Sequence, residues 1–455
     1  MSDEKPRLAR ELRLVDSTAL VVSNVIGVGI FTTPGVVAGL VPSFWPLVWL
    51  WIAGGVLALL GARAYAELAS LRPEAGGEYV FLRDAFGPLA GFLSGWTSFV
   101  AGFSGAIAAS AIGFAVYLGR YVPWASDATP LVSASLGPIT LGISRRTLVA
   151  LAAVVAISLL HALGLKPGRL LQNGLAWANV GFLVVLLAAG FALGHGSASR
   201  FHDAGAFRRL DWLVALIPVM FTYSGWNAAA YVSEEVREAT RTVGRALLLG
   251  TALVAVLYVL LNVLILYAVP IFEIKATINA GDAAAAALFG PRMAMAVTPI
   301  FLVALAGAIS AMVLAGPRVY FAMSRDGAFF SFASAIHPRF RTPAKAIVAQ
   351  AAWVALLLVS GTFEQLLIYT GFAVVLFSAM AVVALFVLRR QRGATDHAFG
   401  EWRVGRVFGP AIFLAASAAM LLNAVYQLPR TSLAGVAVIA AGVPLFYWAR
   451  RNAKY

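Results

Sequence analysis

The sequence contains no cysteine. That absence removes disulfide frameworks, thiolate metal sites and any disulfide link to a heavy partner subunit. Charge is scarce as well: 12% of the 455 residues are Asp, Glu, Lys or Arg, and 61% are apolar, against about 25% charged and about 45–50% apolar in soluble domains. Such a chain is expected to be a polytopic membrane protein. No lysine lies inside any long apolar segment, and none of the central apolar segments carries paired aspartates or a converging nucleophile and base, so a membrane-embedded enzyme lacks its machinery. No metal site and no cofactor are expected. Gly27-Val28-Gly29 lacks the third glycine and the preceding strand of a dinucleotide fingerprint. The net charge of +14 would suggest nucleic acid in a soluble protein, but here the basic residues fall in short loops, where they set membrane orientation.

What is present is a series of apolar runs. A span takes about 20 such residues, and on that criterion the spans lie near 15–40, 45–70, 87–119, 146–165, 170–194, 211–236, 243–268, 293–322, 345–361, 365–388, 407–427 and 431–449. The first follows a basic tail without a small-residue cleavage signal, so it reads as an uncleaved span. Counting basic residues in alternate loops gives 24 on the side of the termini against 9 on the other. Both termini are therefore expected in the cytoplasm, in the cell membrane.

The first span holds the oddest stretch, Val25-Ile26-Gly27-Val28-Gly29-Ile30-Phe31. Each glycine costs about 1 kcal/mol of helix propensity, so the helix is expected to break there. Freed backbone groups at membrane depth survive only where they line a cavity or meet a ligand. The sixth span repeats the anomaly with Phe221-Thr222-Tyr223-Ser224-Gly225-Trp226-Asn227, 198 residues after Gly27 when counted to Gly225. Paired interruptions in two halves point to a transporter of inverted repeats with its site between the breaks. The expected fold is all-α, twelve transmembrane helices in a 5+5 inverted repeat with helices one and six broken. Its divisions are a tail at 1–14, repeats at 15–194 and 211–388, appended helices at 407–449 and a tail at 450–455.

Other features are read first as packing. Gly91, Gly95, Ser98 and Gly102 recur every three to four residues in span three, which lets helices approach closely, with a pocket wall as the alternative. Residues 72–86 are too polar to cross and read as an amphipathic cytoplasmic element turned by Gly76-Gly77. Arg63 and Glu67 stand four apart on one helix face and are expected to pair, with gating as the alternative for Glu67. His161 reads as a hydrogen-bonded interior residue, and Glu234 and Glu235 as partners of Arg237 or nearby loops.

Taken in order, Gly27-Val28-Gly29-Ile30-Phe31, Tyr65-Ala66-Glu67-Leu68, Pro73-Glu74-Ala75-Gly76-Gly77-Glu78-Tyr79, Gly225-Trp226-Asn227 with Val232-Ser233-Glu234-Glu235-Val236, Gly316-Pro317-Arg318 through Asp326-Gly327, and Ile336-His337-Pro338 with Thr342-Pro343 resemble the L-type branch of the amino acid-polyamine-organocation superfamily. The resemblance implies a bacterial-type amino acid permease of the LeuT-like fold working by alternating access. It implies a substrate carboxylate at the amides around Gly27, Val28 and Gly29, and an ammonium at carbonyls near Ile26, Phe221 and Ser224, with Gly225 and Asn227 beside them. Phe221, with Trp226, corresponds to the aromatic gate. Half-helix ends carry about half a charge of either sign, which matches a zwitterion without ionised side chains.

Two departures bear on coupling. Val28 replaces a common serine, a loss of about 0.5–1.5 kcal/mol at most. Asn179 stands where many relatives carry a lysine, and Ala315 and Gly316 stand where sodium-coupled carriers supply hydroxyls. Asn cannot titrate, so exchange or facilitated movement is favoured over ion coupling, with proton-coupled symport as the alternative. The absence of acid in the centres of spans one, three, six, eight and ten predicts neutral L-amino acids, with Ser110, Gly307 and Ser310 as small neighbours. A sensor or channel remains the rival class, and nothing in the sequence requires an oligomer.

Overall fold

The computed structural model describes residues 8–27, 29–136, 139–275, 279–392, 403–427 and 429–452. Val28 lies outside the described residues.

The first apolar run is two helices, α1 (Leu14–Val25) and α2 (Gly29–Leu40), bent by 44° to each other. Asp16 in the first turn of α1 accepts from the Arg13 amide at 2.7 Å, satisfying a donor the helix start leaves free. α3 (Phe44–Leu71) is followed by the short α4 (Glu78–Phe86). Span three consists of α5 (Pro88–Thr97), a π-helical turn at Ser98–Gly102 and α6 (Phe103–Leu118). Then come α7 (Arg145–Ala162), α8 (Leu165–Leu193), α9 (Arg209–Thr222), the single turn α10 (Ala228–Tyr231) and α11 (Ala239–Ala268). α12 (Ile271–Ile274) and α13 (Ala280–Phe289) lead into α14 (Pro291–Arg325), followed by α15 (Ala344–Ser360) and α16 (Phe363–Arg392). α17 (Arg403–Gln427), α18 (Pro429–Ala440) and α19 (Gly442–Asn452) complete the described chain.

Among the described residues eight helices are long and apolar enough to cross a membrane, nine if α1 and α2 form one broken span. The chain is thus a helical polytopic membrane protein. Three of the other expected spans are shorter: α15 has 17 residues, α9 stops at Thr222, and the last run is divided at Ala441. An element the hydropathy pattern did not reveal is an antiparallel hairpin, β1 (Pro130–Leu136) and β2 (Ile139–Ser144), with a register shift between Pro130 and Val132. Its alternation of Val, Ala and Leu with Ser is strand-like, but the segment is too short and polar to register as a span.

α1 packs between α8, α11 and α14, α3 runs along α11, and α2 lies against α9. One end of the bundle carries a lattice of ion pairs. Arg318 binds Glu235 through two hydrogen bonds of 3.0 Å, both side chains buried. Arg325 meets Glu234 at 2.8 Å, Arg83 meets Asp326, and Arg72 meets Asp84 at 2.5 Å. Glu234 and Glu235 thus pair with the end of α14, not with Arg237, because the chain turns back under α14 after α10; Glu234 also accepts from the loop amides of Leu8 and Ala75 at 3.1 and 3.3 Å, in keeping with the expected loop partners. Glu67 pairs with Arg389 at 2.5 Å and not with Arg63: the packing of α16 on α3 brings a cation across the interface that a reading along one helix cannot see.

The segment before α1 is held at the same end. The amides of Glu11 and Leu12 donate to the Glu235 carbonyl at 2.9 Å, the Arg237 amide donates to the Leu12 carbonyl at 2.9 Å, and the Leu8 amide donates to Glu234 at 3.1 Å.

Candidate functional site

The two breaks face each other. α1 ends with the Ile26 amide bonded to the Val22 carbonyl at 2.9 Å; Gly27 is not helical, and α2 starts at Gly29. On the other side α9 ends at Thr222, and the chain turns through Tyr223–Asn227 with Gly225 at φ +101°. That is a conformation a side chain resists, and a Cβ on Gly225 would stand 2.6 Å from the Asn24 carbonyl oxygen. Glycine is therefore required twice over. Asn24 Nδ2 donates to the Gly225 carbonyl at 3.3 Å, and Thr33 and Thr222 share a hydrogen bond of 2.7 Å. The Val25 carbonyl, left free by the end of α1, is taken by the Tyr258 hydroxyl at 2.7 Å.

Between the breaks is a cavity of about 220 Å³. A dry apolar cavity of roughly 150 Å³ holds a benzene ring, so this space suits a free amino acid. Of the residues singled out in the sequence, Gly27, Gly29, Phe221, Ser224, Gly225 and Asn227 line it, as do Ser98, Gly102 and Ser110. A Cβ on Gly27 would meet nothing within 4 Å, so this backbone is bare toward open space. Phe221 is 43% exposed, with its ring 3.8 Å from the Cβ position of Gly371 on α16. The π-helical turn shifts Ser98 and Gly102 out of a regular packing row, and such turns recur at functional sites. Gly95, by contrast, is a packing glycine, pressed on Met323.

Other expected site residues lie away from the cavity wall. Ile26 buries its side chain between Val25 and Gly27, both of which line the cavity. Trp226 packs between Tyr65 and Phe413. Asn179 is buried and its Oδ1 has no hydrogen-bond partner. Ala315 is fully buried, and Gly316 faces Gln350 of α15. Gly307 abuts Ser23, while Ser310 bonds His161 at 2.8 Å, as expected for an interior histidine.

The sequence reading missed Glu78. Glu78 borders the cavity, although it belongs to the polar stretch that the hydropathy pattern places in a cytoplasmic element. The cause is the turn before it: Gly76 and Gly77 both have positive φ (+114° and +51°). The Gly76 amide donates to the Tyr231 carbonyl at 3.0 Å, and a Cβ on Gly77 would collide with the Tyr231 ring. This close approach lays the start of α4 against α10. Glu78 Oε1 then accepts from the Tyr65 hydroxyl at 2.5 Å, Asn227 Nδ2 at 3.0 Å and Ser378 Oγ at 3.4 Å. α4 is not one of the spanning helices. Burial raises the carboxyl above its ordinary value, opposed by the hydrogen bonds from Tyr65, Asn227 and Ser378. No group of three or more His, Asp or Glu suited to a metal occurs among the described residues.

The family model described as amino acid permease matches residues 12–448. The mouse b(0,+)-type amino acid transporter 1 is 28% identical over 395 residues, covering 85% of this chain and 77% of that protein. The serine/threonine exchanger SteT of Bacillus subtilis is 27% identical over 461 residues, 99% of each chain. The human cystine/glutamate transporter is 28% identical over 462 residues, 98% of this chain and 86% of that one. The chain belongs to the amino acid permease family, whose members are transporters and not enzymes.

Proposed function

We propose that the protein moves neutral L-amino acids across the cell membrane by alternating access, exchanging one for another or letting them equilibrate. The observation that carries this reading is the pair of helix breaks bonded together by Asn24 and Gly225 beside one cavity of amino acid size. In it the substrate carboxylate sits at the amides around Gly27, Val28 and Gly29 ahead of α2, and the ammonium at the carbonyls near Ile26, Phe221 and Ser224. The helix-end charges favour this orientation and no other. Phe221, half-exposed over the cavity, swings down to close it. The repeats are 15–194 and 211–388 within twelve spans, both termini are cytoplasmic, and the ion-paired end is the closed cytoplasmic gate.

Asn179 offers no titratable group and lies outside the cavity wall, which favours exchange over coupling through that position. The relatives span several amino acid classes by name, so the neutral preference rests on the cavity itself. Its single acidic lining residue among the described ones, Glu78, is engaged by tyrosine, asparagine and serine. The test is counterflow: liposomes carrying the purified protein and internal L-alanine, L-serine or L-leucine are expected to accumulate the labelled compound faster than empty ones. Binding without counterflow would favour a sensor.

A further inference from the structure

Glu78 has a feature that sets it apart from the acids of the ion-paired end. Glu67, Glu234 and Glu235 each meet an arginine, whereas every hydrogen-bonding neighbour of Glu78 is neutral. From α3 it faces Tyr65, from the second break and α10 it faces Asn227 and Tyr231, and from α16 it faces Ser378. α5 brings no titratable side chain. The charges on α4 itself are bound elsewhere, Arg83 to Asp326 and Asp84 to Arg72, and α14 commits Arg318 to Glu235 and Arg325 to Glu234. No lysine, arginine or histidine pairs with Glu78 among the described residues.

Hydroxyls donate or accept by rotating, so Tyr65, Tyr231 and Ser378 can bond either form of the acid, the carboxylate more strongly. Glu78 keeps 7% of its surface exposed where it borders the open cavity, and that small opening is its access to water. Once substrate fills the space and the cavity closes, the same carboxylate is stripped of that water with no cation to replace it, and the neutral form is then favoured. Asn227 carries the link: its side chain donates to both Glu78 and the Tyr231 hydroxyl at 3.0 Å, and it stands two residues from Gly225 in the second break.

We propose that Glu78 is the protonation site of the transport cycle, taking up one proton from solution as the cavity closes on substrate and releasing it when the cavity reopens. The step forms an O–H bond on the Glu78 carboxylate and breaks one on hydronium, with no other exchange of atoms. It rests on the amino acid transport reading and narrows it: each substrate crosses with a proton, exchange swaps two protonated complexes, and net movement follows the combined substrate and pH gradients in place of simple equilibration. This route needs no lysine at position 179.

The test is binding of labelled L-alanine, L-serine and L-leucine to the purified full chain from pH 5 to pH 8. Wild type is expected to lose affinity as pH rises, by up to about tenfold per pH unit over the window where one proton is taken up. Glu78→Gln, fixed neutral, is expected to bind with the affinity of the acid limb at every pH. Tyr65→Phe removes a donor to the charged form and is expected to move the wild-type midpoint upward by about one to two pH units. Where Glu78→Gln fails to fold, that midpoint shift decides alone. Flat wild-type binding, a slope that survives in Glu78→Gln, or an unmoved midpoint in Tyr65→Phe overturns the proposal. A Glu78→Gln variant that changes only L-lysine binding also overturns it, by making the carboxylate a reader of substrate charge. Failure of any amino acid to bind at any pH contradicts the transport reading, and the proton step falls with it.

Discussion

Asn24 and Gly225, 201 residues apart, are joined by a hydrogen bond of 3.3 Å between the side-chain amide of one broken helix and the backbone carbonyl of the other. This contact makes two local helix faults into one structure. It predicts that Asn24→Ala weakens amino acid binding through the loosened second break, by up to about tenfold if one hydrogen bond of about 0.5–1.5 kcal/mol is lost. Titration calorimetry on the purified variant measures this.

The two key glycines are predicted to behave differently. Gly27 has open space where a side chain would go, so Gly27→Trp is expected to fold with an unchanged melting temperature and to bind no amino acid. Gly225→Ala forces a side chain onto φ +101° and against the Asn24 carbonyl, so it is expected to lose stability by about 1–3 kcal/mol. Melting curves alongside binding separate the two.

Phe221→Ala removes a ring that is 43% exposed in this state and is proposed to close over substrate. Closure can bury only that exposed part of a side chain whose full burial is worth about 1.5–3 kcal/mol, so Kd is expected to rise about 3- to 10-fold with little change in melting temperature.

The buried pair Arg318 and Glu235 is predicted to hold the ion-paired end shut. Glu235→Gln leaves the guanidinium short of its counter-charge, which costs about 3–5 kcal/mol in buried pairs. Because the chain has no cysteine, a single Ser233→Cys, buried in this state and in the same turn as Glu234 and Glu235, reports on that end without background. Labelling by a water-soluble maleimide is expected to increase when Glu235→Gln is added.

Asn179→Leu tests whether that position takes part in coupling. Its buried Oδ1 lacks a partner, and replacing an unsatisfied polar group by an apolar one of similar size is near neutral or stabilising. Counterflow is expected to persist in this variant; its loss would give the Asn179 side chain a part in coupling.

The sequence made the breaks legible because backbone faults in an apolar helix are local signals. Gly27 and Gly29 cannot be reconciled with a regular span, and neither can Ser224 with Asn227. What escaped were relations set by packing across distant segments. Glu78 sits in a polar stretch that hydropathy places outside the bilayer, and only the turn at Gly76 and Gly77 against Tyr231 brings it under the cavity. The partner of Glu67 likewise comes from α16, 322 residues away, where the helical spacing pointed to Arg63. Ser98 and Gly102 read first as a row for close packing, with a pocket wall as the alternative, because a π-helical turn has no signature in composition.

The central claim, that the paired breaks bind the transported amino acid, is tested most directly by counterflow of labelled L-alanine, L-serine and L-leucine in liposomes containing either wild type or Gly27→Trp. The account predicts accumulation of at least one of them with wild type and none with the variant, the two proteins being equally folded. Counterflow undiminished by a tryptophan at position 27 would contradict it.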